Sequence, residues 1–137
     1  MKDIIFKCIK YLYYFSLLIL LILYLFPGSL IGYILYEDLG KQPNIVSDQL
    51  GNSINHFIYF FYLSFLGLIC NAQKARLNNS FLFLFVLSII LEMTHFIIPK
   101  RAFEVSDLLA NNTGVMIVYF LFKLKNKIIN FKIKNKL

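Results

Sequence analysis

Four long apolar blocks restrict what this chain can fold into. They comprise residues 11–36, 54–70, 81–98 and 105–122, and Pro27-Gly28 interrupts the first of them. Each of the last three is about 17 or 18 residues long, which is near the lower limit for a helix that crosses a bilayer. The blocks do not alternate with period two, so the sequence disfavours a small β-barrel. The pattern therefore predicts membrane-spanning α-helices.

The composition also indicates an integral membrane protein. Hydrophobic residues fill 59% of the 137 positions, charged residues fill only 15%, and the mean hydropathy is +0.69. A soluble domain carries about 25% charged residues. We therefore predict an all-α fold in which residues 1–137 form a single domain, an integral membrane bundle of four transmembrane helices. Outside the apolar blocks, the short Lys-rich tail is the only basic patch interleaved with aromatic residues, so no nucleic-acid partner is expected.

The first apolar block is best interpreted as two pieces. Residues 11–26 are long enough to cross a thin bilayer, and residues 29–36 would then form a short interfacial or partly re-entrant segment. The alternative is one kinked helix, but Pro27-Gly28 is strong turn punctuation and favours the break. A cleaved signal peptide is disfavoured, because the apolar stretch is long and no small-x-small cleavage site follows Phe26.

The basic residues predict the orientation of the bundle. Eleven of the fourteen lysines and arginines precede the first block, lie between the second and third, or follow the fourth. The opposite side holds Lys41, Lys100 and Arg101 together with five carboxylates. The positive-inside rule therefore predicts four spans with both termini cytoplasmic. The tail at residues 123–137 is expected to rest on anionic headgroups, at about 1 kcal/mol per lysine.

Cys8 and Cys70 are the only cysteines. Both fall near the predicted cytoplasmic ends of spans, where thiols stay reduced. Neither belongs to a C-x-x-C pair, and two histidines with Glu92 and Asp107 have no known zinc-ligand spacing. The sequence therefore predicts no metal site and no cofactor.

Polar residues are concentrated between residues 91 and 112. Glu92 is seven residues before Pro99, which places it about 10 Å below the predicted outer boundary of the third helix. An ionised carboxylate at such a depth costs about 2.5–3.5 kcal/mol and normally faces the bundle interior with a partner. His95 is three residues later, on nearly the same helix face.

The second and fourth helices carry polar side chains at the same predicted depth. Asp107 and Asn111 are four residues apart, with Gly114 continuing that stripe, and His56 and Tyr59 lie one turn apart. We therefore expect polar groups from three helices to converge beneath the outer surface. The predicted ligand-binding residues are His56, Glu92, His95, Arg101, Asp107 and Asn111, and the catalytic candidates are Glu92, His56 and His95.

Each of these residues also has a purely structural interpretation. Asp107 or its neighbour Ser106 can cap the fourth helix. Arg101 can pair with Glu104 or Asp107 at the rim, or reach phosphate headgroups. Asn111 and Gly114 can serve close helix packing, and the histidines can be plain interfacial residues. Glu92 can form a structural hydrogen bond with His95 or His56.

One set of these residues resembles a family motif, that of the C-terminal half of the VanZ-like membrane proteins. Those proteins show E-x-x-Q, then P-x-R, then D-x-x-A-N-x-x-G at matching spacing. The residues that carry the resemblance are Glu92, His95, Pro99, Arg101, Asp107, Ala110, Asn111 and Gly114. Asp48 and the His56-Phe57 pair echo an earlier D-x-x-x-H-F stretch at a longer spacing. The resemblance covers about residues 48–114 and the four-span layout, with His95 in place of the usual Gln.

The resemblance implies a multi-pass protein of the bacterial cell membrane, in a family named after a protein associated with teicoplanin resistance. It supplies a fold and a context but no reaction. One hypothesis is that the outward-facing polar cluster binds or modulates an envelope lipid or a lipid-linked amphiphile. The alternatives are a small intramembrane enzyme acting on a lipid-linked substrate, with Glu92 as acid or base, and a purely structural role. The loop at residues 37–48 is expected to be a connector rather than a lid.

Overall fold

The computed structural model describes residues 2–43, 45, 51–71 and 74–135. Over these residues the chain forms α-helices and no strand. The helices are α1 (Lys2–Leu25), α2 (Leu30–Tyr36), α3 (Gly51–Cys70), α4 (Lys74–Thr94) and α5 (Val105–Lys134). Asp48, part of the family resemblance, lies outside the described residues, as do residues 44, 46 and 47 of the connector predicted at residues 37–48.

Four of the helices, α1, α3, α4 and α5, are long and apolar enough to cross a membrane. This confirms the predicted all-α bundle of four spans. The helices differ from the apolar blocks at their ends. The first begins at Lys2 rather than at residue 11, and α5 continues to Lys134 rather than stopping at residue 122. Lysine is a good helix former, and no Pro or Gly follows Gly114, so the helices extend beyond the apolar blocks.

The helix α4 ends earlier than its apolar block. It stops at Thr94, and the next two amides bond three residues back, His95 N–H to the Glu92 carbonyl (3.1 Å) and Phe96 N–H to the Met93 carbonyl (3.2 Å). Hydrogen bonds that link residues three apart, instead of the four of an α-helix, tighten the last turn. His95 therefore lies in the turn just after the helix rather than within it.

The break at Pro27-Gly28 confirms the two-piece interpretation of the first block. The backbone of Gly28 has φ of 76°, and a Cβ there would lie 2.6 Å from the Leu39 carbonyl oxygen. Ser29 caps the new helix by accepting a hydrogen bond from Gly32 N–H at 2.9 Å. The aliphatic and aromatic side chains of α2 are mostly exposed. Such a short, outwardly apolar helix fits a membrane interface.

Spans that follow one another in the chain run antiparallel. Tyr24 of α1 meets His56 of α3, while Ser16 meets Tyr62, so the two helices run in opposite directions. The helices α4 and α5 pair likewise. Both described chain ends therefore lie at one end of the bundle, called here the basic end. The other end, called the loop end, is formed by residues 26–43, the start of α3 and residues 95–104. That the basic end faces the cytoplasm stays a prediction.

Several polar side chains are buried between the helices, whereas many large apolar side chains are exposed on the outer surface of the bundle. The helices α3 and α5 form its most extensive contact, and Gly114 makes it close: a Cβ there would lie 2.8 Å from the Phe57 carbonyl oxygen and 2.9 Å from Phe61 N. Large apolar side chains cover the outer surface. Among the residues that the structure describes, the buried polar ones are Ser16, Ser29, His56, Ser64, Ser88, Glu92, His95, Asp107 and Asn111. Five of these nine belong to the predicted cluster.

Candidate functional site

The six predicted binding residues all lie at the loop end of the bundle. His56 comes from the second turn of α3, Glu92 from the end of α4 and His95 from the turn that follows it, and Asp107 and Asn111 come from the first two turns of α5. These five side chains are buried. Arg101, in the loop between α4 and α5, is partly exposed at the edge of the cluster. The structure thus brings together the polar groups that the sequence assigned to three helices.

Glu92 is the acceptor at the centre of the cluster, and its side chain is fully buried. One carboxylate oxygen accepts hydrogen bonds from His95 Nδ1 and from the Glu104 backbone N–H, both at 3.3 Å. The other oxygen accepts from Asn111 Nδ2 at 3.4 Å. Three donors therefore converge on one carboxylate, which stabilises it without contact with water.

Asp107 is held by residues at the start of α3. Ser53 Oγ donates to Oδ1 at 2.5 Å, Asn52 Nδ2 donates to Oδ2 at 2.6 Å, and His56 Nε2 lies 3.5 Å from Oδ2. The interpretation of Asp107 as merely a helix cap is wrong, because the N-cap position belongs to Glu104, whose side chain makes no capping bond. Asp107 still lies in the first turn, where a negative charge is favoured by the helix dipole.

Tyr24 joins the first span to this cluster. Its hydroxyl donates to Asn111 Oδ1 at 3.0 Å and lies 2.5 Å from His56 Nδ1. Its ring also stacks on His95, with centroids 5.2 Å apart and planes inclined by 16°. A single tyrosine therefore contacts three of the predicted residues, one from each of three different segments.

Arg101 contacts the end of α1 rather than a carboxylate. Its Nη2 donates to the Leu23 carbonyl oxygen at 2.6 Å and its Nε to the Phe26 carbonyl oxygen at 3.4 Å. These carbonyls close a helix and would otherwise lack intrahelical partners. Among the described residues, Arg101 forms no ion pair within 4 Å, so the alternative in which it pairs with Glu104 or Asp107 at the rim is wrong. Burial lowers the pKa of Arg101, partly offset by Tyr24 and the two buried carboxylates.

Two cavities open beside the cluster. The polar cavity, of about 280 Å³, is bounded by the loop after α4, the loop after α2 and the start of α3. The apolar cavity, of about 130 Å³, lies between α1, α2 and α3 and is lined by leucines and Ile31. The residues common to both linings are Ser29, Gln42, Asn52, His56 and Arg101. The two cavities are therefore neighbours that share a wall of polar side chains.

The described part of the 37–48 loop lines this site. Leu39, Gly40 and Gln42 border the polar cavity, and Lys41 packs its backbone carbonyl against Gly32, where a Cβ would collide with it. This segment therefore forms part of the cavity wall, in contrast to the expectation of a connector alone.

Sequence reasoning missed several residues of the site. Asn52 and Ser53 precede His56 by four and three positions, so a helical stripe of polar residues at the start of α3 was a usable signal. Tyr24 had only its place one turn before Pro27 to distinguish it from eight other tyrosines. Ser29 and Gln42 had no signal, because their place in the site depends on how α2 folds back.

Comparison of the chain with known proteins identifies its family. No curated protein and no solved structure matches it. A family model described as VanZ/LLP1 matches residues 11–126, which include α2, α3 and α4, the greater part of α1 and α5, and every residue of the cluster described above. The match extends the resemblance carried by the loop-end residues to most of the chain, and the protein therefore belongs to the VanZ/LLP1 family.

Proposed function

We propose that the protein binds an amphiphilic membrane lipid at its loop end. The headgroup occupies the polar cavity and an acyl or polyprenyl chain enters the apolar cavity. The observation that carries this proposal is the shared wall, in which Asn52, His56 and Arg101 border both cavities. A polar compartment adjoining an apolar one, at the end of a membrane bundle, matches the two-part chemistry of an amphiphile.

The apolar cavity suits a chain that enters from the bilayer. Its walls include Leu20 and Leu23 of α1 and Ile31 of α2, and Ile31 is 42% exposed on the outer surface of the bundle. A lipid chain can therefore reach this cavity sideways, while its headgroup stays at the level of the loops. The buried cluster behind the wall keeps the polar side chains in place.

The geometry favours binding over catalysis by Glu92. Its carboxylate is fully buried, already accepts three hydrogen bonds, and is not part of the lining of either cavity. A general acid or base must come within about 3 Å of the proton that it transfers. Glu92 is therefore assigned a positioning role, in which it fixes His95 and Asn111.

A direct test is native mass spectrometry of the protein purified from membranes in mild detergent. A bound lipid is expected to remain on the wild-type protein. Ile31→Trp fills the apolar cavity and should remove most of the bound lipid. Ile34→Trp on the same helix is the matched control, because Ile34 is 69% exposed and outside the cavity lining. Equal lipid occupancy in both variants would overturn the proposal.

We propose further that the loop end faces outward across a bacterial cytoplasmic membrane, with both termini in the cytoplasm. The charge distribution supports this orientation: the basic end carries Lys7, Lys10, Arg76 and most of the remaining cationic residues, whereas the loop end has three. Single cysteines introduced at Lys100 and at Lys123, in a chain lacking Cys8 and Cys70, test it. A membrane-impermeant maleimide should label only the variant at residue 100 in intact cells.

The proposed setting also links the protein to glycopeptide susceptibility. Lipid bound at the outer leaflet alters the envelope surface to which an amphiphilic antibiotic such as teicoplanin binds. Deletion of the gene is expected to shift the inhibitory concentration of teicoplanin. Only a gene that encodes a protein with an open apolar cavity should restore the original inhibitory concentration. Restoration by the Ile31→Trp variant would separate any such phenotype from lipid binding.

A further inference from the structure

Two residues that line the polar cavity each have a buried acceptor atom without a hydrogen-bond partner among the described residues. The two atoms are Asn52 Oδ1 and His95 Nε2. The His95 side chain is only 4% exposed, and an unsatisfied polar atom at such a site costs free energy until a partner arrives. Both atoms therefore indicate which groups a ligand in this cavity presents.

The neighbours of His95 fix its role. Its Nδ1 faces Glu92 Oε1 at 3.3 Å, where the carboxylate can only accept, so the proton lies on Nδ1. A ring that carries its proton on Nδ1 alone presents Nε2 as an acceptor. Stacking on Tyr24 holds the ring plane in this orientation. The nitrogen on the far side of the ring from Glu92 is therefore left to accept a hydrogen bond from a ligand.

Asn52 is oriented in the same way. Its Nδ2 donates to Asp107 Oδ2 at 2.6 Å, and this assigns the amide oxygen to the opposite direction. Asp107 itself is occupied by Asn52 and Ser53. The unpartnered buried acceptors at the cavity are therefore neutral, and neutral acceptors are suited to hydroxyl groups. The lining also includes Glu104, whose carboxylate is exposed.

The same cavity has a cationic side. Lys100 and Arg101 line it, and Arg101 uses Nε and Nη2 for the α1 carbonyls. Among the described residues, its remaining terminal nitrogen, Nη1, makes no hydrogen bond. A guanidinium donor and an ammonium at one wall are suited to a phosphate group.

We propose that the headgroup recognised in the polar cavity is a phosphate-linked polyol, with the phosphate at Lys100 and Arg101 and hydroxyl groups donating to His95 Nε2 and Asn52 Oδ1. This inference rests on the proposed lipid binding and specifies its ligand class. It predicts discrimination by hydroxyl groups, not by net charge alone.

The test compares lipids with identical acyl chains, added to delipidated protein and followed by native mass spectrometry. Phosphatidylglycerol should bind about tenfold more tightly than phosphatidic acid, the ratio expected for one or two hydrogen bonds. Phosphatidic acid carries the greater negative charge, so attraction by charge alone would give the reverse order. Phosphatidylethanolamine, which presents an ammonium instead of hydroxyls, should also bind more weakly than phosphatidylglycerol.

Two variants at residue 95 connect the preference to the proposed atom. His95→Gln retains a donor toward Glu92 and a carbonyl acceptor toward the cavity, and should keep the preference for phosphatidylglycerol. His95→Phe retains the ring but has neither nitrogen, and should reduce that preference to about twofold or less while phosphatidic acid still binds. A preference that survives in His95→Phe would overturn the assignment of this residue.

The outcomes separate the two proposals. Equal affinity for the three lipids, or the tightest binding for phosphatidylethanolamine, would overturn the polyol headgroup and leave lipid binding intact. Binding of none of the lipids would overturn lipid binding itself. Free glycerol 3-phosphate that binds as tightly as the lipid would also overturn the lipid, because the apolar cavity would then contribute nothing.

Discussion

The hydroxyl of Tyr24 lies 2.5 Å from His56 Nδ1, so the end of the first span is joined to the start of the second. The same hydroxyl donates to Asn111 of α5. Three helices thus depend on one oxygen atom that is buried among them.

Removal of this oxygen should be costly for its size. Tyr24→Phe removes the hydrogen bonds to His56 Nδ1 and to Asn111 Oδ1, and we expect a loss of about 1–2 kcal/mol in the free energy of unfolding. Thermal unfolding in detergent measures the change. Tyr11→Phe is the matched control, because Tyr11 is 74% exposed and should tolerate the same deletion. Equal melting temperatures for the two variants would contradict the bridging role of Tyr24.

Glu92→Gln should destabilise the protein rather than inactivate a folded one. Three donors face the Glu92 carboxylate, and an amide replaces one acceptor oxygen by a fourth donor. We expect a loss of about 2–4 kcal/mol and a low yield in membranes. The control is Glu104→Gln, since the Glu104 side chain is exposed. If Glu92→Gln accumulated and melted like wild type yet no longer bound lipid, a direct ligand contact would replace the positioning role.

Arg101 and Lys100 should respond differently although both line the polar cavity. Arg101→Gln removes the donors to the Leu23 and Phe26 carbonyls and should both weaken lipid binding and speed hydrogen exchange at the end of α1. Lys100→Gln should weaken binding alone, because Lys100 is exposed. Hydrogen exchange with mass spectrometry resolves the two effects. Unchanged exchange around residues 22–29 in Arg101→Gln would contradict the bond to α1.

Gly114→Ala should separate α3 from α5. The added methyl group would approach backbone atoms of Phe57 and Phe61 at 2.8 and 2.9 Å, and backbone cannot rotate away as a side chain can. We expect a loss of about 1–3 kcal/mol in stability. Gly40→Ala is the control, because its Cβ would meet only an Asp38 side-chain atom at 3.4 Å. A neutral Gly114→Ala would show that the two helices can shift without cost.

The sequence was informative wherever local chemistry determines structure. Pro27-Gly28 predicted the break after α1, and the helical spacing of Asp107, Asn111 and Gly114 predicted a shared face on α5. The convergence of Glu92, His95 and His56 was predicted from their similar depth in the membrane, because charged groups within a span need partners.

The remaining features depend on tertiary contacts that no spacing encodes. Arg101 is 78 residues from Leu23 in the chain, and nothing local distinguishes a backbone carbonyl from a carboxylate as its partner. Tyr24 resembles the other apolar-block tyrosines until α1 packs against α3. The replacement of Gln by His at residue 95 keeps the hydrogen-bonding pattern of the VanZ-like motif. The Nδ1 donor and Nε2 acceptor of His95 correspond to the amide N–H and the carbonyl of Gln.

The bond between Arg101 and the Leu23 carbonyl also bears on how the chain is made. The first span leaves the ribosome long before residue 101 is synthesised, so its last turn enters the bilayer with open carbonyls. Those groups gain their guanidinium partner only after the third span has followed. The end of α1 therefore gains these hydrogen bonds late in synthesis. In a nascent chain arrested before residue 101, the Leu23 and Phe26 carbonyl oxygens would lack the donors of Arg101.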